Sequence, residues 1–290
     1  MENFRVINSD ARTGLEILED NSIQCTITSP PYFNLRKYSE GDQNEIGTER
    51  SIEEYISHIV DTFDVLRAKT RDDGLLFLNL GDTYIKGQLS GVPWRTALAL
   101  SDAGWILRSD IIWKKPNAMP SSVKNRPTTE HEYVFMFSKT RKYFYNQDAI
   151  REPHVTFSEN SKMKGGRGHF GKRGGTPEAG KNSGNANLHT ARWDQAFHPK
   201  GRNRRTVWDI PLGKFRGAHF AVFPERLVEI CLLAGSRKND LICDPFTGSG
   251  TTGLVALRHE RRFYGTELVP KYANMASDRL KAASSSARLF

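Results

Sequence analysis

The 290-residue sequence contains no run of apolar residues near the roughly 20 that a membrane helix needs. Its opening, MENFRVINSDART, lacks the basic-then-apolar layout of a secretion signal, so export is not expected. There are only three cysteines, Cys25, Cys231 and Cys243, with no CxxC spacing. An odd number in apolar segments, without CxxC spacing or an export signal, argues for reduced, buried thiols in a cytoplasm. No Cys/His cluster has zinc-ligand spacing, so no metal is expected. Acidic excess is also missing: the net charge is +9.

The placement of that charge matters more than its size. Residues 151–205 carry a net +8 and the other 235 residues only +1. A block of this kind suits a polyanionic partner such as nucleic acid; the plainer reading is a solvated insert. The same stretch holds nine glycines and four of the eight histidines, with little hydrophobic periodicity. It reads as a basic, glycine-rich insert interrupting an otherwise regular chain.

On either side of the insert, strand-like and helix-like patterns alternate. FRVIN, SIQCTIT and GLLFLNLGD read as strands, the last an unbroken apolar run covered on both faces. SIEEYISHIVDTFDVLRAKT reads as a helix with Ser51 and Glu54 in a capping box. WRTALALSDAGW is a second helix; ILRSDIIWKK, EYVFMFSK and KYFYN follow as strands. After the insert come FPERLVEICLLAG (helix), DLICDPF (strand), TTGLVALRHE (helix), RRFYGTE (strand) and PKYANMASDRLKAA (helix). The pattern predicts a doubly wound α/β fold with a mostly parallel sheet, including a late antiparallel hairpin. Its parts are 1–150, the insert 151–205, and 206–290.

Two short stretches carry chemistry. In ITSPPYFNLRKY (27–38) a strand stops at Pro30 and Pro31, which fix their own φ and push Ser29 and Pro30 towards extended backbone. The corner presents a hydroxyl (Ser29), a carbonyl and a phenol ring (Tyr32). In GSGTTG (248–253) the glycines follow a strand ending at Asp244 and open a helix, with Glu267 ending the next strand 17 positions after Gly250. That layout suits an adenosine-containing cofactor: glycines admit its backbone approach, and the acid accepts from ribose hydroxyls. The plainer reading is a tight turn with a structural acid. A second glycine stretch, GTPEAGKN (175–182), is not a phosphate loop, because Asn182 stands where Ser or Thr is required and no strand precedes it. Only 23 residues follow Glu267, so further strands must come from earlier in the chain. FRVINSDA, with Asp10 at its carboxyl end, suits the strand beside RRFYGTE, which makes the order circularly permuted.

This order resembles the β-class, circularly permuted DNA amino-methyltransferases, the N6-adenine/N4-cytosine family that uses S-adenosylmethionine. The likeness spans nearly the whole chain and rests on TSPPY (28–32) together with DPFTGSGTT (244–252). It implies a Rossmann-like methyltransferase fold. It also implies catalytic Ser29, Pro30, Pro31 and Tyr32, and cofactor contacts from Asp10, Ala11, Phe220, Asp244, Phe246, Gly248, Ser249, Gly250, Thr251, Thr252 and Glu267. HFAVFPERLVEICLLAG (219–235) resembles the segment flanking the methionine end of the cofactor. WKKPNAMP and EHEYVFMFSK match strands behind the target-base pocket. The basic insert takes the place of the target-recognition region. The partner implied is double-stranded DNA, with no membrane association and with pairing into a homodimer. Candidate DNA contacts are Arg36, Lys37, Lys162, Lys164, Arg167, Lys172, Arg173, Arg202, Arg204 and Arg205.

The elbow fits that chemistry on its own terms. An exocyclic amine on a base is a poor nucleophile because its lone pair is delocalised into the ring. Acceptors for both its N–H groups, here Ser29 Oγ and the Pro30 carbonyl, would localise that pair. Tyr32 offers a stacking face for an extruded base. Adenine N6 is slightly favoured over cytosine N4. An RNA or small-molecule methyltransferase and a non-catalytic DNA binder are the remaining alternatives.

Overall fold

A computed structural model describes residues 3–35, 45–153, 200–213 and 223–286. They divide into one unit formed by 1–146 and 205–290 and a second formed by 147–204. Among the described residues, no helix is long and apolar enough to cross a membrane.

The first unit is built on an eight-stranded sheet. In chain order its strands are β1 (Phe4–Asn8), β2 (Ile23–Thr28), β3 (Thr70–Leu80), β6 (Ile106–Lys114), β7 (His131–Ser138), β8 (Val207–Asp209), β9 (Leu241–Asp244) and β10 (Arg262–Glu267). A small hairpin, β4 (Tyr84–Ile85) with β5 (Gln88–Leu89), lies apart. The spatial order is β1-β10-β9-β2-β3-β7-β6-β8. Only β7 runs against its neighbours; every other pairing is parallel. The mostly parallel sheet and its single reversed strand therefore match the expectation.

Among the described residues six helices flank the sheet: α1 (Ala11–Glu16), α2 (Ile52–Lys69), α3 (Val92–Asp102), α4 (Glu225–Gly235), α5 (Thr251–Arg258) and α6 (Pro270–Ser286). Strand β3 shows why both faces are covered. Its alternate residues Leu76, Leu78 and Leu80 join a core with Tyr55, Ile59, Phe63 and Leu66 of α2 and with Val92, Ala97 and Leu100 of α3. Leu75 and Phe77 point the other way, towards Gly235 of α4. An apolar run such as Leu75–Leu78, buried on both faces, belongs in such a three-layer sandwich.

The first and last parts of the chain meet in the sheet. β1 pairs in register with β10, Asn8 opposite Glu267, and Asn8 Nδ2 donates to the carbonyls of Glu267 and Leu268 at 2.9 Å. At the centre, β9 lies beside β2. Chain order runs one way from β9 through β10 to β1, and the other way from β2 to β3. This is a topological switch point, where open α/β sheets leave a crevice beyond the strands' carboxyl ends.

Several local readings differ from the structure. KYFYN is not a strand: Phe144 N donates to Asp73 O, Asn146 N donates to Ala234 O, and Arg237 lies over the Phe144 ring. Its aromatic composition reflects docking onto the body rather than a ladder. The three-residue β8 and the β4–β5 hairpin were too short to show a period. The capping box of α2 is only half formed. Ser51 Oγ accepts from Glu54 N at 3.1 Å, whereas the Glu54 carboxylate accepts from Arg50 N, one residue before the cap.

In the second unit, Glu152 and Arg202 form an antiparallel bridge and an ion pair at 2.8 Å. Most of the basic insert, including GTPEAGKN, lies outside the described residues.

The Ser51 cap yields a test: Ser51→Ala should lower unfolding free energy by about 1 kcal/mol. Urea denaturation at unchanged m-value checks it, and no loss would mean the cap bond adds nothing to α2.

Candidate active site

Thr28 Oγ1 donates to Asp244 Oδ1 at 2.7 Å, joining the ends of β2 and β9 across the switch point. One hydroxyl thus ties the strand that enters the Ser-Pro-Pro-Tyr elbow to the strand that enters the glycine loop. Both loops line a single cavity of about 530 Å³, within the range typical of small-molecule sites. Of the expected residues in the described part, Asp10, Ala11, Ser29, Pro30, Pro31, Tyr32, Asp244, Phe246, Gly248, Ser249, Thr251, Thr252 and Glu267 all line it. Gly250 does not. It turns the chain at φ +82°, and a Cβ there would meet Ala276 of α6 at 3.0 Å, so its work is to bring α5 against α6. Phe220 lies outside the described residues.

On the glycine-loop side, Glu267 accepts from Gly248 N (2.8 Å) and Val269 N (2.9 Å), one bond to each oxygen. A carboxylate has about four acceptor positions, so it can still take two hydroxyls. The buried Thr251 Oγ1 has no partner among the described residues. An unpaired buried hydroxyl in a cavity wall is costly unless something fills the cavity. Asp10 caps α1, its Oδ1 accepting from Arg12 N and Thr13 N at 3.1 Å. From α6, Arg279 fixes Ser249 by donating to its carbonyl and hydroxyl. Burial pushes the Asp244 carboxyl up to about 6, against the opposing hydrogen bonds from Thr28 and Phe246 N. Burial also raises Glu267.

On the elbow side the structure shows more than the sequence revealed. Tyr55 of α2 donates to the Pro31 carbonyl at 3.0 Å. Among the described residues no donor reaches the Pro30 carbonyl. Ser29 Oγ lies 3.1 Å from Asn79 Oδ1 and 3.2 Å from Tyr32 Oη. Tyr32 Oη donates to Glu132 Oε2 at 2.7 Å and lies 3.0 Å from Asn79 Oδ1. Asn79 Nδ2 donates to Glu132 Oε2 (3.1 Å) and to the Tyr133 carbonyl (3.0 Å). Lys115 pairs with the other oxygen of Glu132 and lies over the Trp113 ring. Burial and then Glu132 hold the Tyr32 phenol well above its ordinary range, so it stays protonated. The ring itself is wedged against Gly81, where a Cβ would come within 2.7 Å of Cε2.

Counting protons fixes the chemistry of Ser29. Each hydroxyl has one proton and two lone pairs. Tyr32 gives its proton to the carboxylate, the best acceptor in reach. Ser29 gives its own to Asn79 Oδ1 or Tyr32 Oη. Its lone pairs remain, so Ser29 faces the cavity as an acceptor.

Asn79, Lys115, Trp113 and Glu132 were not singled out from the sequence, although WKKPNAMP and EHEYVFMFSK were placed near the pocket. Asn79 did leave a signal: it is the sole polar residue inside the apolar run LLFLNL. The cavity wall from α6, Tyr272 and Met275, left none. Of the expected DNA contacts, Arg36, Lys37, Lys162, Lys164, Arg167, Lys172 and Arg173 lie outside the described residues. Arg202 is engaged with Glu152, Arg204 donates to the Ile150 carbonyl at 3.0 Å, and Arg205 is exposed.

The fold and site define a doubly wound α/β protein with an acceptor-lined crevice at its switch point. The chain belongs to the N6/N4 methyltransferase family, whose DNA methylase model matches residues 23–278. It is 37% identical to the type II methyltransferase M.SmaI of Serratia marcescens, over 97% of this chain and 91% of that protein. It is also 37% identical to M.XycI of Xanthomonas campestris pv. cyanopsidis, over 97% and 88%. In fold it is similar to the PvuII DNA methyltransferase (cytosine-N4-specific), with TM-score 0.69 and 23% identity over 96% and 86% of the two chains. It is also similar in fold to M1.HpyAVI in complex with SAM, with TM-score 0.56 and 19% identity over 96% and 98%.

The Asp244 shift has a pH consequence. Its folded-state value, about 6, lies above its ordinary 3.8, so between those values the folded protein holds a proton that the unfolded chain has lost. Its contribution to stability therefore falls as pH rises from about 4 to about 6, by roughly 3 kcal/mol. Asp244→Asn should remove that part of the pH dependence in the ligand-free protein. Identical stability–pH curves for parent and variant, measured by chemical denaturation, would contradict it.

Proposed function

We infer that this chain transfers a methyl group from S-adenosylmethionine to the exocyclic amine of a base extruded from double-stranded DNA, as a β-class enzyme of circularly permuted order. The observation that carries this reading is the meeting of the Ser29–Tyr32 elbow and the glycine loop in one cavity, with Ser29 presented as an acceptor. The β1–β10 pairing and the β9–β2 switch point support the permuted order.

The donor supplies a methyl group on a cationic sulfur. Glu267 would take its ribose hydroxyls, while Asp10, Phe246 and the 248–252 loop line the rest of its space. Asp244, a carboxylate above pH 6, lies on the same wall and favours a cation. At the elbow, Ser29 Oγ and the Pro30 carbonyl accept the two N–H groups of the target amine and draw its nitrogen towards tetrahedral geometry. Acceptors held rigid before the reaction do not reorganise during it. The elbow is rigid because its two prolines, the Tyr55 bond to Pro31 and the Asn79 bonds fix it from three sides. The clamped Tyr32 ring gives the extruded base a surface to stack on, worth roughly 1–3 kcal/mol. Adenine N6 and cytosine N4 present the same pair of N–H groups, so the acceptors serve either. The insert 151–205, at +8, suits the phosphate backbone. Three buried free thiols fit a reducing cytoplasm. A paired form is carried over from the resemblance alone.

The direct test incubates the protein with unmodified DNA and labelled S-adenosylmethionine and identifies the modified nucleoside by mass. N6-methyladenine or N4-methylcytosine is the expected product and names the base. Label in RNA but not in DNA, or no transfer at all, would sink the reading. Ser29→Ala should lower single-turnover rate about 10²–10³-fold with cofactor affinity unchanged. Glu267→Ala should weaken cofactor binding, read by calorimetry; equal effects of both substitutions on both quantities would contradict the division of labour.

A further inference from the structure

We propose that Glu132 is the final acceptor of the proton that the target amine loses, reached from Ser29 through the hydroxyl of Tyr32. The proposal rests on the methyltransferase reading above and adds a route that the elbow alone does not supply.

Methylating an amine creates a proton that must leave. As the nitrogen bonds to the methyl carbon, the C–S bond breaks with its electron pair on sulfur, and the positive charge moves to nitrogen. One N–H bond then breaks, returning its pair to nitrogen. Of the two acceptors at the elbow, the Pro30 carbonyl has no proton to pass on and leads nowhere. Ser29 Oγ is different: it can take a proton on one side while giving its own away on the other. Its neighbour Tyr32 Oη is 3.2 Å away, and Tyr32 in turn donates to Glu132 Oε2 at 2.7 Å. A concerted shift moves the amine proton to Ser29, the serine proton to Tyr32 and the tyrosine proton to Glu132. Both hydroxyls end neutral, and the carboxylate neutralises the charge first created on nitrogen.

The surrounding groups suit this route. A methylated exocyclic nitrogen that carries a positive charge has lost conjugation with its ring and is a strong acid, so even a carboxylate paired with lysine is basic enough to take its proton. Asn79 touches all three members, with Oδ1 near both hydroxyls and Nδ2 on Glu132 Oε2. A carboxamide does not relay protons at neutral pH, so Asn79 acts as a positioning residue that aligns the chain. Lys115 lies against the far oxygen of Glu132. Once Glu132 is neutral, that ammonium loses its counter-charge, which favours release of the proton. The side chains of Lys115 and Glu132 remain 16% and 15% exposed, so water reaches the end of the route.

The experiment measures single-turnover methylation of DNA across pH for the parent, Glu132→Gln, Tyr32→Phe and the double variant. Cofactor affinity and melting temperature of each are measured alongside. Glu132→Gln should lower the rate about 10²-fold or more, with cofactor affinity unchanged. Tyr32→Phe keeps the stacking face but breaks the route, and should fall by a similar factor. The double variant should be no slower than the slower single, because the residues act as one unit. A Glu132→Gln protein within threefold of the parent at every pH overturns the proposal. So do losses that multiply in the double variant. If Glu132→Gln is unstable because Lys115 loses its counter-charge, Glu132→Gln with Lys115→Met removes both charges. Recovery of the parent rate in that protein overturns the route, and a folded but equally slow protein supports it. A parent that makes neither N6-methyladenine nor N4-methylcytosine removes the functional reading and the route together; a methylating parent with an unaffected Glu132→Gln removes the route alone.

Discussion

The hydrogen bond from Thr28 to Asp244 is the contact on which the site depends. It joins residues 216 positions apart at the ends of two adjacent parallel strands. Each strand end launches one half of the site, the proline elbow from β2 and the glycine loop from β9. Because the acceptor is a buried carboxylate, the bond is charge-assisted once Asp244 is ionised, and such bonds are stronger and more directional than neutral ones. The same burial makes the ionised form costly, which is why the carboxyl titrates near 6. The fold thus holds a group in a less comfortable state where it can meet a cation, a familiar exchange of stability for function.

Rigidity at the elbow has several independent sources. The two prolines remove backbone freedom, Tyr55 reaches from α2 to the Pro31 carbonyl, and Gly81 leaves room for the Tyr32 ring to pack edge-on. The side chain of Asn79 then orders two hydroxyls and a carboxylate at once. Its amide orientation is set by its partners, since Nδ2 faces two acceptors, Glu132 Oε2 and the Tyr133 carbonyl. With every proton in the cluster directed inward, the surface offered to a target amine is acceptor only.

What the sequence made legible follows from how local each signal is. The elbow and the glycine loop are contiguous stretches whose residue types dictate their backbone, and both could be placed at strand ends. Glu267 could be placed by counting from Gly250. The Asn79–Glu132–Lys115 cluster could not, because it depends on register between distant strands. Reversed strand β7 inserts between β3 and β6, pairing Leu80 with Tyr133 and Trp113 with Glu132. Only that antiparallel register brings the start of β7 to the rim where the parallel strands end. KYFYN shows the converse: residues with strand-like composition make isolated backbone bonds, from Phe144 to Asp73 of β3 and from Asn146 to Ala234 of α4, with no ladder, and composition alone does not separate the two cases.

The distribution of charge separates two tasks. The cavity wall carries five carboxylates, Asp10, Glu45, Glu132, Asp244 and Glu267, against the cations Arg12 and Lys115. The chain as a whole carries +9, nearly all of it in residues 151–205. An acidic, partly enclosed crevice in a basic protein attracts a small cation and repels phosphate, while the basic segment does the reverse. A single cleft of uniform sign would have to favour one at the expense of the other. Of the two cations in the crevice wall, Lys115 lies against Glu132, where it balances the carboxylate on which the elbow's hydrogen bonds converge.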